Sequence, residues 1–430
     1  MLSVARTVYT LLLSLALPVL LVRLGLRAAK SPAYRARLTE RFGGGNGKPQ
    51  RCDVWIHAVS VGEVNAATPL VRQLLKLTPP SRIVMTTMTP TGAQRVVATF
   101  GDRVIHRYAP YDYPFAIDRF LDCFCPKLLV LMETEIWPNM ISRCSQRNIP
   151  VAMANVRLSA RSARGYRLVL PLIRHALDSV SLFATQSLPD RKHLLALGVD
   201  TLKVYRTGNM KFEIDLPASL NEVAQAIRRD WGPNRPVIVA GSTHEGEESL
   251  LLRSLEALLP SFPDLLLVIA PRHPERFEMV TRQVTKRGFT VSRRSQQSGA
   301  LDSTVTVQIA DTMGELLTLY GAGDIAVVGG SLIPIRGIGG HNIIEACAVG
   351  TPVIFGGNMG NFLEISALAL EYQAGYQVKD ADALLHCMSL LLEDANLRAL
   401  VGEHGREMVA QNTGATLKTL ELLLPLLTDN

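Results

Sequence analysis

Three carboxylates in this 430-residue chain stand where chemistry could be done. Glu63 follows Gly62 in HAVSVGEVNAATPLV, after an apolar β-branched run and at the start of a helical pattern. A carboxylate at such a turn can take the proton of a bound hydroxyl and so turn an alcohol into a nucleophile. It can equally complement the positive end of its own helix, with Ser60 and the backbone around Gly62 as caps. Glu133 and Glu135, in METEIWPNM, close another apolar run; in extended geometry residues two apart share a face. That pair suits either an alternative base or a structural network with neighbouring basic residues.

A second set is basic and glycine-rich. GSTHEGEE (241–248) reads as a turn opening a helix, where backbone N–H groups and the helix dipole favour an anion. IAPRHPER (269–276) places Arg272 and His273 directly after a strand; a guanidinium there suits phosphate, and prolines 271 and 274 suit an ordinary surface turn. DTMGELLTLYGAGD (311–324) has Gly314 at a helix start, and GGSLIPIRGIGGHNIIEACAVGTPVIFG (329–356) joins a glycine loop to His341, Asn342 and Glu345. Each signal is weak alone. Four strand-to-helix junctions in succession, all offering anion- or ribose-binding groups, point to a nucleotide pocket. Turns TTMTPTG (86–92) and ANVRLSARS (154–162) add hydroxyls and arginines. The nine histidines lack HxxH or HExxH spacing, so His57, His244, His273 and His341 read as hydrogen-bonding side chains and no metal is expected.

The elements that must position these groups alternate regularly. DVWIHA, RIVMTT, VIHRYA, KLLVLM (127–132), IPVAMAN (149–155) and SLFATQ (181–186) are short apolar runs, each followed by a helix-length stretch. That rhythm predicts a parallel sheet covered on both faces. After a polar connector it restarts with PVIVAGS (236–242), LLLVIAP (265–271), VTVQIA (305–310), DIAVVGG (324–330) and TPVIFG (351–356), and turns helical from about Asp380. Two doubly wound domains are therefore expected, with the carboxyl ends of both sheets facing a central cleft.

Composition agrees: 47% hydrophobic and 19% charged residues exclude a disordered, collagen-like or disulfide-framework chain. Six cysteines without a CxxC pair read as free thiols of a reducing compartment. The formal net charge of +7 suits an acidic partner. At the N-terminus, sixteen uncharged residues (TVYTLLLSLALPVLLV) lie between Arg6 and Arg23, and RLGLRAAKSPAYRARLTER follows with no small-residue cleavage site. The expectation is a membrane anchor, spanning or interfacial, with the basic flank holding the body on the cytoplasmic side against anionic headgroups.

In order along residues 30–425, WIHAVSVGE, TTMTPTG, YAPYDYP, METEIWPN, ANVRLSARS, GST, APRHPER, DTMGEL and GGHNIIEA resemble the 3-deoxy-D-manno-octulosonic acid (Kdo) transferase family of Gram-negative bacteria. The resemblance implies the GT-B fold, two Rossmann-like domains, and metal-independent, inverting transfer of Kdo from CMP-Kdo to lipid A precursor at the cytoplasmic face of the inner membrane, with no cofactor and no nucleic-acid partner. It implies that Glu63 matches the family's general base, and that Arg272, His273, Met313, Gly314, Glu315, Asn342, Ile343, Ile344 and Glu345 match its CMP-contacting positions. One departure is a longer loop, SLIPIRGIGGHN, around Arg336; RFGGGNG (41–47) is also richer in glycine than the family's pattern. The organisation expected is an anchor over 1–29, an acceptor domain over 30–210, a linker over 211–235 and a CMP-Kdo domain over 236–430 whose C-terminal helices could pack back on the first. Another GT-B enzyme using a UDP-sugar, and a membrane-anchored scaffold that keeps an inactive fold, are the competing expectations.

Overall fold

The computed structural model describes residues 4–30, 37–44, 50–77 and 82–428. Arg35, the side chains of Arg27 and Lys30, and residues 45–47 of the glycine-rich stretch lie outside the described residues. The chain forms two compact units, one of the segment up to Glu213 with the stretch from Asn412 onward, the other of Ile214–Gln411.

In the first unit the six apolar runs become strands β1 (Val54–His57), β2 (Ile83–Thr87), β3 (Ile105–Tyr108), β4 (Leu128–Met132), β5 (Val151–Val156) and β6 (Leu182–Thr185), and a further short strand, β7 (Val204–Arg206), follows. All pair in parallel, in the order β3-β2-β1-β4-β5-β6-β7. Alternate residues face opposite layers. Trp55, Leu129, Leu131 and Met153 enter one core; Val54, Ile56, Leu128 and Val130 enter the other. The helices are α1 (Val4–Lys30), α2 (Val61–Leu77), α3 (Pro90–Phe100), α4 (Pro114–Phe124), α5 (Pro138–Gln146), α6 (Ala160–Leu168), α7 (Leu170–Ser179) and α8 (Leu188–Ala196). Several start on a proline at the first or second position, where the missing N–H has no intrahelical acceptor to lose.

The second unit holds β8 (Val237–Thr243), β9 (Leu266–Pro271), β10 (Val291–Arg293), β11 (Val307–Ile309), β12 (Ile325–Val328), β13 (Val353–Gly356) and β14 (Gly375–Val378), parallel and ordered β10-β11-β9-β8-β12-β13-β14. Its helices are α9 (Leu220–Trp231), α10 (Glu247–Leu258), α11 (Phe277–Lys286), α12 (Leu316–Ala322), α13 (Ile344–Val349), α14 (Leu363–Glu371), α15 (Ala381–Glu393) and α16 (Ala395–Asn412). Strands β7, β10 and β14 were not expected. Each has only three or four residues and lies at or beside a sheet edge, so no long apolar run marks it. The stretch 211–235, expected as a linker, contains α9, because Leu220, Ala224, Ile227 and Trp231 recur at helical spacing and are buried among otherwise polar residues.

Helix α17 (Ala415–Thr428) belongs to the first unit. It places Ala415, Leu420 and Leu423 in the same core as Leu70, Val71 and Leu74 of α2. Glu213 anchors its start, accepting from the backbone N–H of Gly414 at 2.8 Å and of Thr416 at 3.2 Å. Leu423→Ala should therefore cost about 2–5 kcal/mol, read as lost hydrogen-exchange protection in β1–β7 with β8–β14 unaffected; protection lost in β8–β14 instead would contradict this packing.

Candidate active site

From β1 the first sheet runs outward through β2 and β3, then resumes at β4 on the other side of β1. At such a reversal the crossover connections diverge and leave a crevice outside the strands' carboxyl ends. Glu63 reaches this edge from β1, and Glu133 and Glu135 reach it from β4.

Glu63 lies in the first turn of α2 and is 8% exposed. Its carboxylate accepts the Val59 N–H at 2.7 Å and the Ser60 hydroxyl at 3.0 Å, while its own N–H points at the Ser60 oxygen at 3.4 Å. The Ser-x-x-Glu spacing thus caps the helix much as a capping box does. Capping does not exhaust the group. Burial, reinforced by the nearby Glu135 and Glu133 charges, outweighs those hydrogen bonds and moves its pKa from 4.5 to about 8.

Glu133 and Glu135 do not share an extended face. β4 ends at Met132, and Glu133 turns into the left-handed region at φ 55° while its N–H still bonds to Ala154 O at 2.8 Å. Its carboxylate meets Lys211 at 3.2 Å. Glu135 instead accepts the Trp137 indole N–H at 2.7 Å, and burial raises its pKa. Asn155, in β5, shares the left-handed conformation at φ 56°; its side-chain oxygen receives the Met210 N–H at 2.9 Å, and its fully buried Nδ2 has no partner. Such strained non-glycine residues concentrate at functional sites.

The second sheet reverses between β8 and β12. At this edge Arg272 and His273 are exposed, following β9. His244 lies 5.5 Å from His273, ring centre to ring centre, and its Nε2 is 2.8 Å from His341 Nε2. Two imidazole nitrogens at that distance must share one proton. Burial, with Arg272 and the other histidines nearby, drops the His341 pKa to about 3. The result is a compact basic cluster at the turn that the sequence pointed to. Gly330 permits it: at φ 67° it suits glycine, and a Cβ there would lie 2.7 Å from the His341 ring.

Beneath the cluster sits a residue that the sequence did not single out. Glu247 is fully buried and accepts four backbone N–H groups: His244 at 2.9 Å, Gly330 at 2.8 Å, Ser331 at 3.1 Å and Leu332 at 3.0 Å. It ties the exit of β8 to the exit of β12. Its neighbour Glu248, also fully buried, pairs with Arg276 and takes the Thr243 hydroxyl at 2.9 Å. The one signal for them was two consecutive acids in GEE at a helix start.

The remaining expected positions divide by what they can offer. Met313 and Gly314 are exposed, and a Cβ on Gly314 would meet open space. Glu315 is already engaged by Arg294 at 2.8 Å and by the Thr312 hydroxyl, which lower its pKa. Asn342 lies just before α13, its side-chain oxygen accepting the Ile344 N–H at 3.1 Å. Ile343 and Ile344 are fully buried, so only their backbone can meet a ligand. Glu345 lies within 3.4 Å of Asn342 Nδ2. Arg336 is exposed on the long loop, whose path Asn358 fixes by donating to the carbonyls of Gly330 and Ile338 at 3.1 Å. Among the described residues no group of three or more His, Cys, Asp or Glu side chains could hold a metal ion.

Residues 36–214 match the family model described as 3-deoxy-D-manno-octulosonic-acid transferase (kdotransferase). The chain is 43% identical over 428 residues to a 3-deoxy-D-manno-octulosonic acid transferase of Haemophilus influenzae, covering 99% of both chains. It is 34% identical over 430 residues to a protein of the same name from Bordetella pertussis, covering 97% of this chain and 98% of the other. A glycosyltransferase structure from Rickettsia africae aligns with a TM-score of 0.56 at 17% identity, over 89% of this chain and 100% of its own. That likeness is one of fold, and it accords with the α/β, GT-B class expected from the sequence.

Because the folded-state pKa of Glu63 lies above its ordinary value, ionising it opposes folding: stability falls as pH rises from about 4.5 to about 8. Glu63→Gln should melt higher than the unaltered protein at pH 8, with the gap closing towards pH 4.5. Equal melting temperatures at pH 8 would show that the carboxylate is not desolvated.

Proposed function

The chain belongs to the 3-deoxy-D-manno-octulosonic acid (Kdo) transferase family of glycosyltransferases, and from that premise we propose that it moves Kdo from CMP-Kdo onto the lipid A precursor lipid IVA in lipopolysaccharide synthesis, with inversion and with Glu63 as general base. The observation that carries this reading is the Glu63 carboxylate, buried at the reversal of the first sheet and brought near neutrality. A base whose conjugate acid titrates close to working pH balances being ionised against holding the proton it removes.

The first unit takes the acceptor. Glu63 removes the proton from the acceptor hydroxyl as that oxygen bonds to the anomeric carbon of Kdo. The bond from that carbon to the CMP phosphate oxygen breaks, and its electrons leave on the phosphate. The transition state has oxocarbenium character, as in glycoside hydrolysis. Attack opposite the leaving phosphate inverts the anomeric centre.

The second unit takes the donor. Arg272 is suited to the CMP phosphate as a bidentate donor, with His273 beside it. The buried ring of His244 and the half-buried ring of His341 stay neutral and keep a hydrogen-bonding edge at the site. Asn342, the backbone of Ile343 and Ile344, and Glu345 serve the nucleoside; Met313, Gly314 and Glu315 border it, the last through its backbone since its carboxylate is engaged. Such fixed donors, already oriented before reaction, stabilise the charge that develops on the leaving group. Helix α1 and the basic flank after it hold the protein at the cytoplasmic face of the inner membrane, where the anionic acceptor resides.

Incubation with CMP-Kdo and tetraacylated lipid A precursor should give products heavier by one or more Kdo units. Glu63→Gln should slow transfer by roughly 100-fold or more, with CMP affinity retained. For the unaltered enzyme kcat/KM should rise with pH and level off above about 8, following the Glu63 carboxylate. Arg272→Ala should raise the KM for CMP-Kdo by roughly tenfold or more, the worth of a hydrogen bond to a charged group. A fully active Glu63→Gln would move the base to Glu135 or Glu133, and no product from a CMP-binding protein would end the Kdo reading.

A further inference from the structure

Helix α1 has two unlike faces. One is fastened to the first unit by polar contacts. Arg6 is 4% exposed, Tyr9 hydrogen-bonds Asp112, Thr10 exchanges hydrogen bonds with Asn139 at 3.0 and 3.3 Å, and the Tyr113 hydroxyl donates to Leu13 O at 2.7 Å. Asp112 is itself held by the N–H groups of Asn139 and Met140 at 3.0 and 2.7 Å. The other face presents Val8, Leu11, Leu12, Leu15 and Val19, all exposed. A helix crossing the bilayer on its own would have to withdraw Arg6, Tyr9 and Thr10 from these partners and carry Arg6 towards hydrocarbon, at a cost of kilocalories. Docked, it lies along the protein with an apolar stripe outward, the arrangement of an interfacial helix.

α1 packs against α5 and α7, and α7 packs in turn against α6. The α6–α7 corner has an unusual composition. Pro171 at the start of α7 stops α6 from continuing, and Val169 serves as the break between them. Leu168, the last residue of α6, is 87% exposed, and Val169 beside it is 44% exposed. Between Arg157 and Leu177 there are five arginines and no Asp or Glu. Arg161, Arg164 and Arg167 are exposed, with no ion-pair partner among the described residues. An exposed apolar tip next in sequence to unpaired guanidiniums is complementary to a layer of phosphates over hydrocarbon.

We propose that the α6–α7 corner is a second membrane contact beside α1: Leu168 and Val169 enter the headgroup boundary of an anionic bilayer while Arg161, Arg164 and Arg167 pair with lipid phosphates. It deepens the membrane location in the function proposed above, on which it rests. Two contacts hold the first unit in one orientation, where the docked α1 alone would let it roll about the helix axis.

The test is an added fluorophore in the full-length protein. Leu168→Trp should show blue-shifted emission on phosphatidylglycerol vesicles, and brominated acyl chains should quench roughly half of the added signal, since interfacial side chains reach about 5–10 Å into the lipid. Phosphatidylcholine vesicles should give less, and Arg164→Gln with Arg167→Gln should abolish the difference between the two lipids. Water-like, unquenched emission from vesicle-bound protein would overturn the proposal, because α1 would then be holding the protein with the corner in solvent. Equal quenching on both lipids would overturn the arginine–phosphate part. Transfer to detergent-dispersed acceptor separates this from the functional reading: activity without quenching rejects the corner, and quenching without activity rejects the transferase reaction.

Discussion

Parallel pairing is the constraint on which the rest depends. In a parallel sheet every strand delivers its carboxyl end to the same edge, so every strand-to-helix turn of a unit opens on one side. In both sheets the order reverses beside the first strand, between β1 and β4 and between β8 and β12. Residues far apart in sequence, Glu63 and Glu135 in the first unit and His244 and His341 in the second, thereby gather at the edge of their own sheet without any dedicated element to bring them there.

The same burial acts differently on three ionisable groups at those edges. Glu63 has two hydrogen bonds and like-charged neighbours, and its pKa rises to about 8. Glu247 has four backbone N–H partners converging on it, which oppose the burial that raises its pKa and make it a tie between loops. His341 faces arginine and histidine and is kept neutral. One is left free to exchange a proton, one fixes a scaffold, one offers a hydrogen-bonding edge. Number and sign of partners decide the role, since all three are acid–base groups at the same kind of turn.

Much of this was legible in the sequence because apolar runs of four to seven residues are self-announcing: eleven strands coincide with such runs. The strands that escaped are short and marginal, and α9 escaped because its apolar stripe is diluted by Arg and Asp. The turns with Glu63, Arg272 and Asn342 could be placed from order along the chain. What could not be read was the left-handed geometry at Glu133 and Asn155, because nothing in residue type demands it, or Glu247, three of whose four partners are backbone groups that lie more than eighty residues away. Ordered motifs also marked Ile343 and Ile344 without revealing that their side chains face the core.

The cap that Glu213 places on α17 has a consequence for biosynthesis. The face of α2 bearing Leu70, Val71 and Leu74 is completed by residues emerging roughly 200 positions after Glu213, about 10–40 s later at ordinary elongation rates. Until then the nascent first unit carries an uncovered apolar face, while the second can close as soon as its own segment has left the ribosome. The first unit is thus completed only after the last helix of the chain has emerged, whereas the second draws on one continuous segment.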